Sequence, residues 1–259
     1  MKPYSNSIPV LGIPHYNRAD LTRRCLLSID HWVDQVVLVN NSYDPALPAV
    51  VMEFYQQPRC PTRSVFIVGH PNAGVAGAWN EIIKLFPADW WLIANNDIAF
   101  TPGDLAAFVE AAQPGEGPPP PGMIYGNHGA SCFAITRRCV DRVGLFDENI
   151  YPAYLEDCDY AYRLKLLQEP ARTLEKVYLL HGETSDFRET QKGSNTIHSN
   201  TELNRRNGIT HAANFEYYRA KWGGDNGREV FTHPFNDPQH PVWAWRFDVN
   251  QRRQQKIQF

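Results

Sequence analysis

The chain has 259 residues, a net charge of −3 and 43% hydrophobic residues. This length suits one α/β domain with an appendage and is ample for a sizeable core. A nearly balanced charge argues against a general nucleic-acid binder, and no apolar run approaches the roughly 18–20 residues that span a bilayer.

In chain order, short β-branched runs alternate with helical patterns, the mark of βαβ units on a mainly parallel sheet. Strands are predicted at 8–13, 35–40, 64–68, 90–95, 132–136 and 177–180, and helices at 19–29, 75–86, 103–112, 156–167 and 201–222. The first strand begins so early that no secretory leader fits before it. Prolines and glycines across 114–122 dictate a surface loop, and the polar stretch 182–200 is expected to be a mobile loop beside a candidate site. The C-terminus is a basic tail, with Arg246, Arg252, Arg253 and Lys256 against Asp248. Cys25, Cys60, Cys132, Cys139 and Cys158 form no CxxC pair, and an odd, scattered set reads as reduced thiols. A cytoplasmic protein is expected, at most peripheral on the inner face of a membrane.

Polar residues collect where strands end. Pro14, His15, Tyr16, Asn17 and Arg18 follow the first strand, at the end where open α/β sheets bind ligands; Asn17 reads equally as a helix N-cap. Asn40, Asn41 and Ser42 close the second strand, where turn chemistry explains them as well as ligand contact does. Asn72 and Gly74 open the third helix, with Asn80 further along it. This is neither a GxGxxG fingerprint nor a P-loop, but its small residues leave room for a backbone approach and for helix N–H groups to meet a polar ligand.

The fourth strand ends in Asn95, Asn96 and Asp97. A carboxylate there suits Mg²⁺ or Mn²⁺, which take oxygen ligands and often leave positions to substrate phosphates. His181 follows a late strand and either completes that shell or packs beside the loop. Glu156, Asp157 and Asp159 crowd the first turn of a helix. The helix dipole accommodates them, yet three carboxylates this close also suit a proton-handling site.

The succession IPHYNR, VVLVNNS, NAGVAGAWN, NND and GASCFAITRRCVDRVGLFDE…YLEDCDYAYRL, over roughly residues 8–185, resembles the family 2 inverting glycosyltransferases of GT-A fold, and the ending NFEYYRAKWGG…HPF is similar to the tails of their rhamnosyltransferase-like members. The resemblance implies a Rossmann-like, mostly parallel central sheet flanked by helices, with a C-terminal helical extension. It divides the chain into a catalytic domain at 1–185, with a donor half to about 100 and an acceptor half from 101, and an extension at 186–259. It implies a nucleoside-diphosphate sugar of UDP, dTDP or GDP type, bound by the polar turns at 14–18, 40–42, 72–80 and 95–96. Asp97 and His181 would hold Mn²⁺ or Mg²⁺, Asp157 would be the catalytic base and Glu156 its support. Gly129, Ala130, Tyr151 and Tyr154 would meet the acceptor, a polysaccharide or lipid-linked glycan. Two positions depart from the family pattern: Asn40 stands where an acid is usual, and Asn95 replaces the first acid of the metal motif. A transferase acting on a hydroxylated DNA base and an inert nucleotide-sugar-binding protein are the alternatives.

Overall fold

The computed structural model describes residues 6–69, 71–113, 117–183 and 201–246. Strands β1 (Ile8–His15), β2 (Val33–Asn40), β3 (Thr62–Gly69), β4 (Trp90–Ala94), β6 (Met123–Gly126), β7 (Gly129–Thr136) and β8 (Ala171–Thr173) form one sheet in the order β3-β2-β1-β4-β7-β6-β8. β5 (Ile98–Ala99) and β9 (Leu180–His181) pair as a small antiparallel ribbon. Helices are α1 (Ala19–Leu27), α2 (Leu47–Tyr55), α3 (Gly74–Leu85), α4 (Asp104–Ala112), α5 (Arg137–Val143), α6 (Glu156–Leu166) and α7 (Thr201–Trp222).

Through the middle of the central strands side chains alternate across the sheet, as period-two strands require. Leu11, Ile13, Val36, Leu38, Leu92 and Ala94 face one layer with Cys25 of α1, Phe54 of α2 and Phe108 of α4. Val10, Val37, Val39, Trp91, Ile93 and Phe133 face the other, with Ile82 of α3, Val140 of α5 and Tyr160 of α6. Burial on both faces is why these strands read as near-continuous hydrophobic runs.

β1 pairs in parallel with both β2 and β4, so the chain winds outward to β3 and then returns to the other side of β1. That reversal opens a crevice at the carboxyl ends of β1 and β4. β7 runs antiparallel to β4, with Ala94 opposite Cys132, which brings the start of β7 to the same end.

A third cluster joins Ile150, Leu155 and Tyr162 to Tyr218 and Trp222 of α7. Lys221, fully buried, donates to Asp147 Oδ2 at 2.8 Å and also to Asp159 Oδ1. Asp159 also accepts from Arg163 Nε and Trp222 Nε1, each at 2.9 Å. Burial works to raise the Asp147 carboxyl, but Lys221 and its hydrogen-bond donors hold it below the usual carboxylate range. Two acids and two bases thus neutralise one another inside the protein, and α7 is welded onto α6.

Five predicted helices and five predicted strands are present within a few residues of their expected ends. The 177–180 strand is not formed as expected: only Leu180 joins a ribbon, while Val177 and Leu179 are buried by packing and Tyr178 N–H bonds Asp104 Oδ1. α2, α5, β5, β6 and β8 went unpredicted. All five cysteines are free thiols, and among the described residues no helix is long and apolar enough to cross a membrane. The expected loop at 184–200, the start of the Pro-rich loop at 114–116 and the basic tail beyond 246 lie outside the described residues.

Candidate active site

The turns after β1 and β2 are tied to each other. Asn17 and Arg18 both take left-handed backbone (φ 54°), and Arg18 rather than Asn17 occupies the N-cap of α1. Asn17 N–H donates to Ser42 Oγ at 2.9 Å, while Asn96 Nδ2 donates to the Asn17 carbonyl at 3.3 Å. Arg18 pairs with Asp20 and Glu183. Pro14 continues the parallel ladder opposite Val39, and Tyr16 is half-buried beside it.

His15 is fully buried, with Nδ1 2.7 Å from Thr22 Oγ1 and Nε2 3.1 Å from Asp44 Oδ2. Burial lowers its pKa against the opposing pull of Asp44. Asn40 folds over its own turn, accepting from Asp44 N–H at 2.9 Å and donating to the Asp44 carbonyl at 3.1 Å. Both side chains were expected at the donor; the structure turns both inward, to hold Asp44 and the loop that carries it.

The same holds at α3. Its leading N–H groups, expected to be free for a ligand, are already bonded. Ala73 donates to Asn41 Oδ1 at 3.1 Å, Gly74 to Asn72 Oδ1 at 3.0 Å, and Val75 to the Pro152 carbonyl at 2.7 Å. Gly74 is needed twice over: its φ is +70°, and a Cβ there would lie 2.8 Å from the Pro152 carbonyl oxygen. Asn80, also expected to contact the donor, is fully buried: it donates to the Phe146 carbonyl and Glu148, each at 2.9 Å, and accepts from Phe146 N–H. α3 therefore binds the 146–152 segment of its own chain.

Asn95, Asn96 and Asp97 form the turn between β4 and β5. Pairing of Ile98 with His181 across the β5–β9 ribbon brings His181 Nε2 to 3.3 Å from Asp97 Oδ1. Asp97 is 3% exposed, and among the described residues its Oδ2 has no hydrogen-bond partner. Gly129 and Ala130 begin β7 alongside this turn, which is anchored by Asn95 N–H to the Ser131 carbonyl at 2.8 Å.

On the other side of the crevice, Tyr154 and Leu155 are consecutive left-handed residues (φ 75° and 79°) leading directly into α6. Glu156 is buried, and its Oε2 has no hydrogen-bond partner among the described residues. Burial, reinforced by the Asp157 charge, pushes the Glu156 carboxyl well above its ordinary range. Asp157 is half-buried and accepts from Cys158 N–H at 2.8 Å. Asp159 instead turns into the buried charge cluster with Lys221 and Arg163. Burial raises the Tyr154 phenol, the hydrogen bond with Asn207 opposes this, and the charges of Glu156 and Asp97 add to the rise. Tyr151 donates from its hydroxyl to the Asn72 carbonyl at 3.2 Å, bridging the two halves.

Several residues at this site carried no sequence signal. His128 sits with its ring 5.3 Å from that of His181 and its Nε2 2.9 Å from the Leu179 carbonyl. His211 of α7 lies 5.2 Å from the Tyr154 ring, and Asn214 bonds the loop before α6. All three come from segments far along the chain, so only folding reveals them.

A family model, Glycosyl transferase family 2, matches residues 11–117. Among solved structures, a mannosyltransferase from Pyrobaculum calidifontis in complex with GDP-Man and Mn²⁺ superimposes with a TM-score of 0.52 at 16% identity, covering 83% of this chain and 75% of that one. The fold is GT-A. GalNAc-T7 with UDP, GalNAc and Mn²⁺ gives a TM-score of 0.54 at 11% identity, over 83% of this chain and 50% of that one. S. aureus TarS 1-349 in complex with UDP gives 0.50 at 14% identity, over 65% of this chain and 58% of that one. In sequence, a galactofuranosyl glycosyltransferase of Leishmania donovani is 32% identical over 149 residues, 51% of this chain and 33% of that protein. This chain thus spans about a third of that relative's length.

Proposed function

We propose that this GT-A chain is an inverting glycosyltransferase that moves a sugar from a nucleoside diphosphate to a glycan hydroxyl. One observation carries the reading: at the carboxyl end of β4 a buried Asp97 sits 3.3 Å from His181 and keeps one carboxylate oxygen without a hydrogen-bond partner among the described residues. The family match, the galactofuranosyl relative and the nucleotide-bound neighbours support the reaction class.

Asp157 is the base. It takes the acceptor proton as that oxygen attacks the anomeric carbon, while the bond to the diphosphate oxygen on the opposite face breaks and the electron pair leaves with the phosphate. Glu156, held toward its neutral form by burial, donates a hydrogen bond to an acceptor hydroxyl and keeps a second negative charge away from Asp157. Asp97 and His181 fit a divalent cation: one is a buried carboxylate with an unsatisfied oxygen, the other an imidazole beside it. Among the described residues no group of three or more His, Cys, Asp or Glu is suited to hold a metal, so phosphate oxygens and water would complete the shell. Such an ion, when bound, supplies charge neutralisation at the departing diphosphate. Tyr151 and Tyr154 line the acceptor side, and Asn17, Arg18 and Ser42 the donor side.

The test is incubation with UDP-, dTDP- and GDP-sugars, Mn²⁺ and a glycan acceptor, with a hydroxylated-base DNA as a second acceptor. Transfer to the glycan with an inverted anomeric configuration is expected, stopped by a chelator. Donor binding without turnover would make the chain an inert binding protein, and transfer to DNA alone would replace the acceptor assignment.

A further inference from the structure

We infer that Asn214 of α7 is a positioning residue for the catalytic acids, clamping the loop 151–154 so that α6 starts at the correct angle. The inference rests on the reading of Glu156 and Asp157 given above. Asn214 is fully buried. Its Oδ1 accepts from Tyr151 N–H at 3.2 Å, while its Nδ2 donates to the Ala153 carbonyl at 2.9 Å and the Tyr154 carbonyl at 3.3 Å. A donor and an acceptor on one short head group serve both ends of the loop at once. Aspartate lacks the donors, and leucine lacks everything but the volume.

The loop needs such a clamp. Tyr154 and Leu155 occupy left-handed backbone in succession, which is strained for non-glycine residues and persists only where the surroundings impose it. Leu155 is the N-cap of α6, and its side chain makes no capping hydrogen bond. The start of the acid-bearing helix is therefore held from outside, by a residue 61 positions beyond Ala153. Asn214 can act as a fixed point because Lys221, two turns further along the same face of α7, is bonded to Asp147 and Asp159. His211, one turn before Asn214, adds its ring against Tyr154. α7 is in this light the back wall of the acceptor side.

The experiment compares Asn214→Ala with Tyr218→Phe, which removes a buried hydroxyl bonded to Glu229 from the same helix without touching the 151–154 backbone. Asn214→Ala is expected to lower kcat by roughly 10²-fold, the effect of a misplacement on the order of 1 Å, while the donor Kd stays at the wild-type value. Tyr218→Phe should lose thermal stability but keep its kcat. Where Asn214→Ala does not fold, Asn214→Ser, whose shorter hydroxyl stays polar but cannot reach both ends of the loop, is read the same way. An unchanged kcat in the Asn214 variant, or the same loss in both variants, would overturn the positioning role. Asp157→Asn, assayed alongside, separates the two proposals. If it stays active, the reading of the acids fails; if it is dead while Asn214→Ala turns over normally, only the clamp fails.

Discussion

The two sides of the crevice are stabilised by different means. On the donor side the polar side chains satisfy neighbours: Asn40 bonds Asp44, Asn72 bonds Gly74, and Ser42 meets Asn17 across adjacent turns. On the acceptor side, Asp147 and Asp159 are held by Lys221, 74 and 62 positions away, and the loop before α6 hangs from Asn214. The donor side is a set of turns resting on the sheet, with small local energies. The acceptor side is a buried electrostatic assembly of two acids, of which Arg163 on α6 neutralises one and Lys221 supplies the second positive charge only when α7 docks. Its failure should be cooperative, whereas donor-side substitutions should act one at a time.

The largest expected effect lies at the chemistry. Asp157→Asn should reduce transfer by roughly 10²–10⁴-fold, the usual worth of a general base, with donor binding unchanged by calorimetry. An equal loss of donor affinity would place Asp157 on the donor side and dissolve the contrast. Next is Lys221→Met, which strands two buried acids with only Arg163 to balance them; it should cost roughly 3–5 kcal/mol in a denaturant titration. A neutral result would show that α7 is not needed to neutralise them.

Gly74→Ala probes the seam between the halves. The positive φ and the approach to the Pro152 carbonyl predict a loss of roughly 1–3 kcal/mol, seen as a lower Tm together with lower turnover. Wild-type behaviour in both would mean the halves are not coupled there. The smallest effect is in pH dependence. The folded pKa of Glu156 lies above its ordinary 4.5, so folding favours the protonated form. That contribution is present below 4.5 and is lost as pH rises through the folded value. Glu156→Gln cannot ionise, so its Tm relative to wild type should climb with pH. A constant difference would mean that Glu156 does not titrate differently in the folded protein.

The sheet was legible in the sequence because its strands are buried on both faces and read as β-branched runs, and because α1, α3, α4 and α6 carry apolar stripes. α2 was missed because LPAVVMEFY is apolar almost throughout and shows no clear helical stripe. β8 was missed because Ala171–Thr173 is exposed and polar, joining the sheet only through backbone pairing with β6. The Val177–Leu180 run looked like a strand because burial alone gives it the same composition. His15, near a strand end, and Asn80, midway along α3, looked like ligand contacts because a polar side chain in either place is equally suited to tie down a neighbouring loop, and composition cannot separate the two.

The α/β class, the succession of polar turns and the crowding of carboxylates at the start of α6 can be read along the chain, since each is a local pattern of side-chain types. Only the tertiary structure decided which polar groups face inward, that His181 lies beside Asp97, and that α7 holds the acceptor loop. Those depend on contacts between residues tens of positions apart, whose partners acquire meaning only when the β5–β9 ribbon pairs and Lys221 is buried between two acids.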